Sequence, residues 1–185
     1  MLQRTMTALL VLALMLAPAA LAETEGLQIE IQSVEVGELV PEFELLLTNG
    51  ETFRLSEQLG KIVIVDLWAT WCPPCVDSMP QLQRIADDFP DDVVVLGVNC
   101  GDRAATVESF VERYGFTFPI AIDEDLNILY HYFPTSGIPY TVFIDAEGRL
   151  VDTHLGGGQN VYDLVKEKIE QIMVDADSTP APAQD

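Results

Sequence analysis

Residues 61–68 read KIVIVDLW, an apolar run rich in β-branched side chains and interrupted only by Asp66. A strand with one wet face would alternate apolar and polar residues. A run without alternation has to be covered on both faces, the pattern of a central strand in a layered α/β sheet. Residues 68–75 continue as WATWCPPC, so two cysteines separated by two prolines fall where that strand ends. Beyond them, residues 74–89 carry Val76, Met79, Leu82, Ile85 and Phe89 at helical spacing. Pro80 is expected to kink this helix, because it removes a backbone donor.

The same reading extends over the rest of the chain. Residues 27–36 alternate at first (Leu27, Ile29, Ile31) and read as a strand. Asn49-Gly50 between two apolar runs is a hairpin signal, so an N-terminal β-hairpin is expected. Residues 92–99 form a second buried strand. Residues 104–114 carry Val107, Phe110, Val111 and Tyr114 at helical spacing and stop at Gly115. A short strand over 118–122, a short helix over 126–133, strands over 138–145 and 149–155 joined by a turn at Gly148, and a final helix over 161–174 complete the pattern. Strands alternating with helices, closed by a hairpin, predict an α/β fold with a mixed central sheet and helices on both faces.

The ends are different in character. Residues 8–22 are an apolar run preceded by a single Arg4 and closed by Ala20-Leu21-Ala22, the layout of a secretory signal cleaved after residue 22. The run is shorter than the roughly 20 residues of a spanning helix, although an uncleaved signal would act as an N-terminal membrane anchor. Residues 23–39 read as an N-terminal extension, 40–174 as one domain, and 175–185, rich in Pro, Ala and Asp, as a disordered tail. With 49% apolar residues in 185, the chain supports one sizeable core and hardly two. The formal net charge of −21 excludes nucleic acid and anionic membrane surfaces as partners. The acids are scattered in pairs such as Asp87-Asp88, which reads as a solvated coat.

Cys72 and Cys75 admit three uses: a structural bridge, a metal clamp or a redox couple. A bridge across so short a loop restrains little chain entropy and is a poor staple. Zinc would need two more ligands from Cys100, His131 and His154, none of which shows paired ligand spacing. A redox couple fits the position. Cys72 falls at a helix start, where unpaired N–H groups and the helix dipole stabilise a thiolate, and Cys75 lies one turn further, turned inward as the resolving thiol. Pro73 and Pro74 suit the first helical turn and stiffen it. Asp66 is costly to bury without purpose. With a raised pKa it would relay the proton of Cys75; the alternatives are a sheet-edge position or a pairing with Lys61.

WATWCPPC after KIVIVDLW resembles the active site of the thioredoxin superfamily, and the whole pattern is most similar to its exported TlpA/ResA-type thiol-disulfide oxidoreductases. The resemblance covers residues 40–174. It implies a thioredoxin-like fold in which residues 104–122 are a central helix-strand insertion. Pro80 corresponds to the helix-kinking proline, Asp66 to the buried acid, and residues 137–145 (GIPYTVFID) to the segment with the cis-proline, Pro139. It further implies that Ile138 and Pro139 face Cys72 and offer backbone to an extended substrate, with Trp71, Pro73 and Pro74 around the sulfurs and Trp68 shaping the same surround or packing in the core. Gly156-Gly157-Gly158 resembles the loop beside the active site. The chain departs from many TlpA-type sites in having Asp66 where they carry Asn, and Tyr140 where Thr is frequent.

The expected function is a periplasmic or otherwise extracytoplasmic reductase of disulfides in exported proteins, such as apocytochromes in cytochrome c maturation. It would cycle through a Cys72–Cys75 disulfide recharged by a membrane thiol-disulfide donor. No cofactor or metal is expected, and the protein is expected to be a monomer. The same cysteines could serve a disulfide-forming oxidant, and the fold could be a non-catalytic metal-binding or protein-binding module. A peroxidase of the same superfamily would place Pro and Thr where this chain has Val65 and Ala69. Cys100 reads as a buried thiol, and His131 and His154 as ordinary helix and strand residues.

Overall fold

A computed structural model of the chain describes residues 33–178. Seven strands and three α-helices run in the order β1 (Glu44–Leu46), β2 (Thr52–Arg54), β3 (Ile62–Trp68), α1 (Pro73–Asp88), β4 (Val93–Cys100), α2 (Ala104–Tyr114), β5 (Ile120–Asp123), β6 (Tyr140–Ile144), β7 (Leu150–Leu155) and α3 (Val161–Ser178). The central sheet has the order β5-β4-β3-β6-β7. β3 pairs in parallel with β4 and antiparallel with β6, so the sheet is mixed, as expected.

β3 is buried along its whole length, which is why its sequence does not alternate. Alternation is still present in space. Ile62, Ile64 and Trp68 join one core with Met79, Leu82 and Ile85 of α1, Val107 of α2, and Val165 and Ile169 of α3. Val63, Val65 and Leu67 join the other, with Phe43, Leu45 and Phe53 of the hairpin region. The two faces are therefore covered unequally. Three α-helices contribute to the first core, whereas the β1–β2 hairpin and a single π-helical turn, Ile128–Tyr132, close the second.

Local chemistry explains the boundaries. The hairpin turns at Asn49-Gly50, where Gly50 takes a φ of +84° and its N–H donates to the Leu47 carbonyl. α2 ends on Gly115 in the left-handed region. The helix expected over 126–133 shrinks to the π turn, because the Asp123 carboxylate accepts the N–H groups of Asn127, Ile128 and Leu129 and Leu126 has a φ of +58°.

Two further segments differ from the sequence reading. Of the strand expected over 27–36, residues 27–32 lie outside the described residues, and 33–36 form no strand. The chain there turns through Gly37, and the Glu38 carboxylate accepts the Glu35 N–H at 3.0 Å. Residues 175–178, expected in the tail, are helical instead, the last residues of α3, with Gln171 donating to the Asp175 carboxylate one turn on. Residues 179–185 lie outside the described residues.

Phe143 of β6 is wholly buried on the face that meets α1 and α3. Phe143→Ala is expected to lower stability by about 3–5 kcal/mol, read as an earlier urea midpoint with an unchanged slope.

Candidate active site

Cys72 and Cys75 form a disulfide, their Cα atoms 5.3 Å apart, at the junction of β3 and α1. Cys72 is the N-cap of α1 and retains 4% exposure, whereas Cys75, inside the first turn, has none. That gradient matches an attacking and a resolving sulfur. Pro73 and Pro74 occupy the first helical turn as predicted. Their effect on the helix end differs from the expectation of unpaired N–H groups. Neither proline has an amide proton, the N–H of Cys72 donates to the Ala69 carbonyl, and those of Cys75 and Val76 donate to the Cys72 carbonyl. The helix dipole remains, but the direct amide donors are committed elsewhere.

The Ile138–Pro139 peptide bond is cis, and the Ile138 carbonyl oxygen lies 3.8 Å from Cys72 Sγ. The glycine loop after β7 closes the other side. Gly156 N–H donates to the Pro139 carbonyl at 2.9 Å. A Cβ placed on Gly157 would stand 2.5 Å from Pro139 Cγ, 2.6 Å from Ser78 Oγ and 2.8 Å from the Pro74 carbonyl, so only glycine fits that junction. Ser78, one turn into α1, donates its hydroxyl to the Pro74 carbonyl at 2.8 Å and accepts the Gly158 N–H at 3.1 Å. Gln81 extends the seam by donating to the Gly158 carbonyl and accepting the Tyr162 N–H. Ser78 and Gln81 thus fasten the redox turn and α1 to the glycine loop, and the Gly156–Pro139 bond ties the proline loop to it. Neither residue stands out in the sequence, where each reads as an ordinary polar helix position.

Asp66 lies in the middle of the sheet, between Gly97 of β4 and Thr141 of β6 in register. A sheet-edge position is thereby excluded. So is a pairing with Lys61, whose ammonium donates to the Pro90 carbonyl. Its place in the alternation puts it on the face that carries α1 and Cys75. Oδ1 accepts the Thr141 hydroxyl at 2.9 Å, while Oδ2 is buried with no hydrogen-bond partner. Burial pushes the carboxyl up to about 7, with the Thr141 bond opposing the rise. The sequence marked Asp66 but not Thr141, because cross-strand register is invisible in a single strand.

Trp68 packs in the core, while Trp71 is 67% exposed beside the disulfide. The loop that presents Trp71 is held by Asp102, whose carboxylate accepts the Thr70 N–H at 2.8 Å. Cys100 is buried on the opposite face of the sheet from Cys72 and Cys75, among Leu96, Val98 and Ala121, and burial pushes its thiol up to about 12. His131 lies in the π turn and His154 on β7, its ring beside Gly156. Among the described residues no group of three or more His, Cys, Asp or Glu is placed to hold a metal ion. What the arrangement can do chemically is exchange a disulfide: a partly reachable sulfur, a buried second sulfur, a backbone platform and, on the same face, a carboxyl that titrates near neutral pH.

Two consequences can be measured. The folded-state pKa of Asp66 lies above its unfolded value, so between about pH 4 and pH 7 the unfolded chain releases a proton that the native state keeps. Stability contributed by this group is therefore highest at low pH and falls as pH rises through that window, by on the order of 4 kcal/mol in all. Asp66→Asn should flatten that slope in urea titrations run from pH 4 to 8. Gly157→Ala should cost about 1–3 kcal/mol through overpacking, seen as a lower Tm, because its Cβ meets Pro139 and the Pro74 backbone.

The sequence matches the AhpC/TSA family over residues 36–153. It is 36% identical over 141 residues to the thiol-disulfide oxidoreductase ResA of Halalkalibacterium halodurans, covering 76% of this chain and 78% of that one. Among solved structures, the exposed lipoprotein thioredoxin of Streptococcus pneumoniae superposes with a TM-score of 0.64 at 33% identity, covering 71% of this chain and 99% of that one. The thiol:disulfide interchange protein DsbE of Chlorobium tepidum superposes with a TM-score of 0.65 at 26% identity, covering 78% and 99%. With the disulfide, the cis-proline and the mixed sheet already in place, these likenesses settle the class: the chain belongs to the AhpC/TSA family of thioredoxin-like proteins and is a thiol-disulfide oxidoreductase built on Cys72 and Cys75.

Proposed function

We propose that the protein works outside the cytoplasm as a reductase of disulfides in exported proteins, with apocytochromes awaiting haem as the leading substrates. Residues 1–22 serve as the export signal, residues 40–174 form the working domain, and the protein acts as a monomer. The pneumococcal relative is named an exposed lipoprotein, which agrees with this location.

In the working direction the Cys72 thiolate attacks one sulfur of a substrate disulfide laid along the Ile138-Pro139 backbone, with Trp71, Pro73 and Pro74 around it. The substrate S–S bond breaks, its other sulfur leaves as a thiolate and takes up a proton, and Cys72 is left in a mixed disulfide. Cys75 then gives its proton to the ionised form of Asp66, which titrates near neutral pH, and attacks Cys72 Sγ. The Cys72–Cys75 bond forms as the mixed bond breaks, and the second substrate sulfur leaves and is protonated. Two electrons have passed from the protein to the substrate; the Cys72 proton left to solvent before the attack, Asp66 releases the Cys75 proton afterwards, and solvent supplies the protons taken up by the substrate thiolates. A membrane thiol-disulfide donor returns the electrons.

The observation that carries the reducing direction is the set of amide donors around Cys72. With Pro73 and Pro74 lacking N–H groups and the neighbouring amides bonded to carbonyls, a thiolate there gains little from hydrogen bonds. A dithiol whose thiolate is poorly stabilised gives up electrons readily, whereas strong oxidants owe their potential to a stabilised reduced form. Asp66 on the same face supports this, since its ionised form would further disfavour a thiolate.

The test is the equilibrium potential of the pair in defined thiol buffers. A value near or below that of thioredoxin, about −270 mV, is expected, whereas one near −120 mV would make the protein an oxidant and overturn the reading. In the same assay, Cys75→Ser should trap the mixed disulfide on Cys72.

A further inference from the structure

Asp102 stands outside the redox motif, thirty positions after Cys72 in the sequence. Its carboxylate Oδ2 nevertheless accepts two hydrogen bonds, from the backbone N–H of Thr70 at 2.8 Å and from Asn99 Nδ2 at 3.0 Å. Its own N–H donates to Asn99 Oδ1 at 3.2 Å. Asn99 is wholly buried at the end of β4, beside Trp68 in register, so the turn carrying Asp102 is anchored in the sheet. Gly101, at a φ of +84°, sharpens that turn, and its N–H donates to the Asp123 carbonyl of β5. The acceptor offered to Thr70 is therefore fixed from two strands.

Thr70 lies between buried Trp68 and exposed Trp71. The next amide but one, that of Cys72, closes on the Ala69 carbonyl at 3.2 Å. We propose that Asp102 is a positioning residue for disulfide exchange with protein substrates: by holding the Thr70 amide it sets the placement of Trp71 and Cys72 relative to the Ile138-Pro139 platform. The acceptor oxygen performs this role, and the charge is incidental to it. The inference rests on the proposed substrate path across that platform.

A small disulfide needs only the Cys72 sulfur, whereas a polypeptide must meet Cys72, Trp71 and Ile138 together. Release of the loop should therefore slow the second kind of partner selectively. The experiment is single-turnover oxidation of the reduced full-length protein by two probes, insulin as the polypeptide disulfide and dithiobis-nitrobenzoate as the small one. Asp102→Ala is expected to slow the reaction with insulin by about tenfold and that with the small disulfide by less than about twofold. Asp102→Asn, which keeps an acceptor oxygen and removes the charge, should restore the insulin rate. Equal slowing of both probes, no slowing at all, or an Asp102→Asn variant as slow as the alanine variant would overturn the inference. If Asp102→Ala does not fold, Asp102→Ser, too short to reach Thr70, carries the same comparison. A wild-type protein that reduces neither probe would overturn the proposed function instead, so the two failures are separable.

Discussion

Burial of β3 on both faces is the constraint on which the rest of the structure depends. Seven consecutive buried residues can be satisfied only by partners on two sides in the sheet and two layers above and below it. β4 and β6 supply the first, and the helical and hairpin cores supply the second. A strand held this firmly ends at a defined point. Cys72 comes four residues later, so the redox turn inherits its position from the most constrained element of the fold.

Within that strand one polar group is tolerated, and the tolerance is local. Asp66 sits beside Gly97, a position where a Cβ would press on Trp68 and Phe118 at 3.2 Å, and opposite Thr141, which gives one hydrogen bond. A single hydrogen bond does not offset the loss of water around a carboxylate, so the group stays largely protonated until neutral pH. The strand thus holds, on the face that carries α1, a buried carboxyl that changes its protonation near neutral pH.

Much of this was legible in the sequence, for physical reasons that can be named. The unalternating run gave the central strand, the prolines of the first helical turn gave the start of α1, and Asn49-Gly50 gave the hairpin. The cis geometry at Pro139 was legible only through family resemblance, because composition and periodicity say nothing about that bond. The contacts that fasten the site were not legible at all. Ser78 meeting Gly158, Thr141 meeting Asp66 and Asp102 meeting Thr70 each join segments far apart in the chain, and each depends on register or loop path. The Asn99-x-x-Asp102 spacing was the one local hint, since Asn and Asp side chains often close such turns. The shortened π turn and the lengthened α3 show the same limit from the other side, since both boundaries depart from those that periodicity had drawn.

The position of Cys100 has a consequence for traffic between sulfurs. During each turnover the protein carries free thiols and a transient bond to a foreign sulfur, a state in which a third cysteine within reach would invite shuffling. Here the sheet itself acts as an insulating partition: Cys100 is buried under its opposite face, packed among aliphatic side chains and strongly disposed to stay protonated. An unused thiol can therefore be kept in the chain without opening a side circuit, and the exchange of electrons remains confined to one side of the molecule.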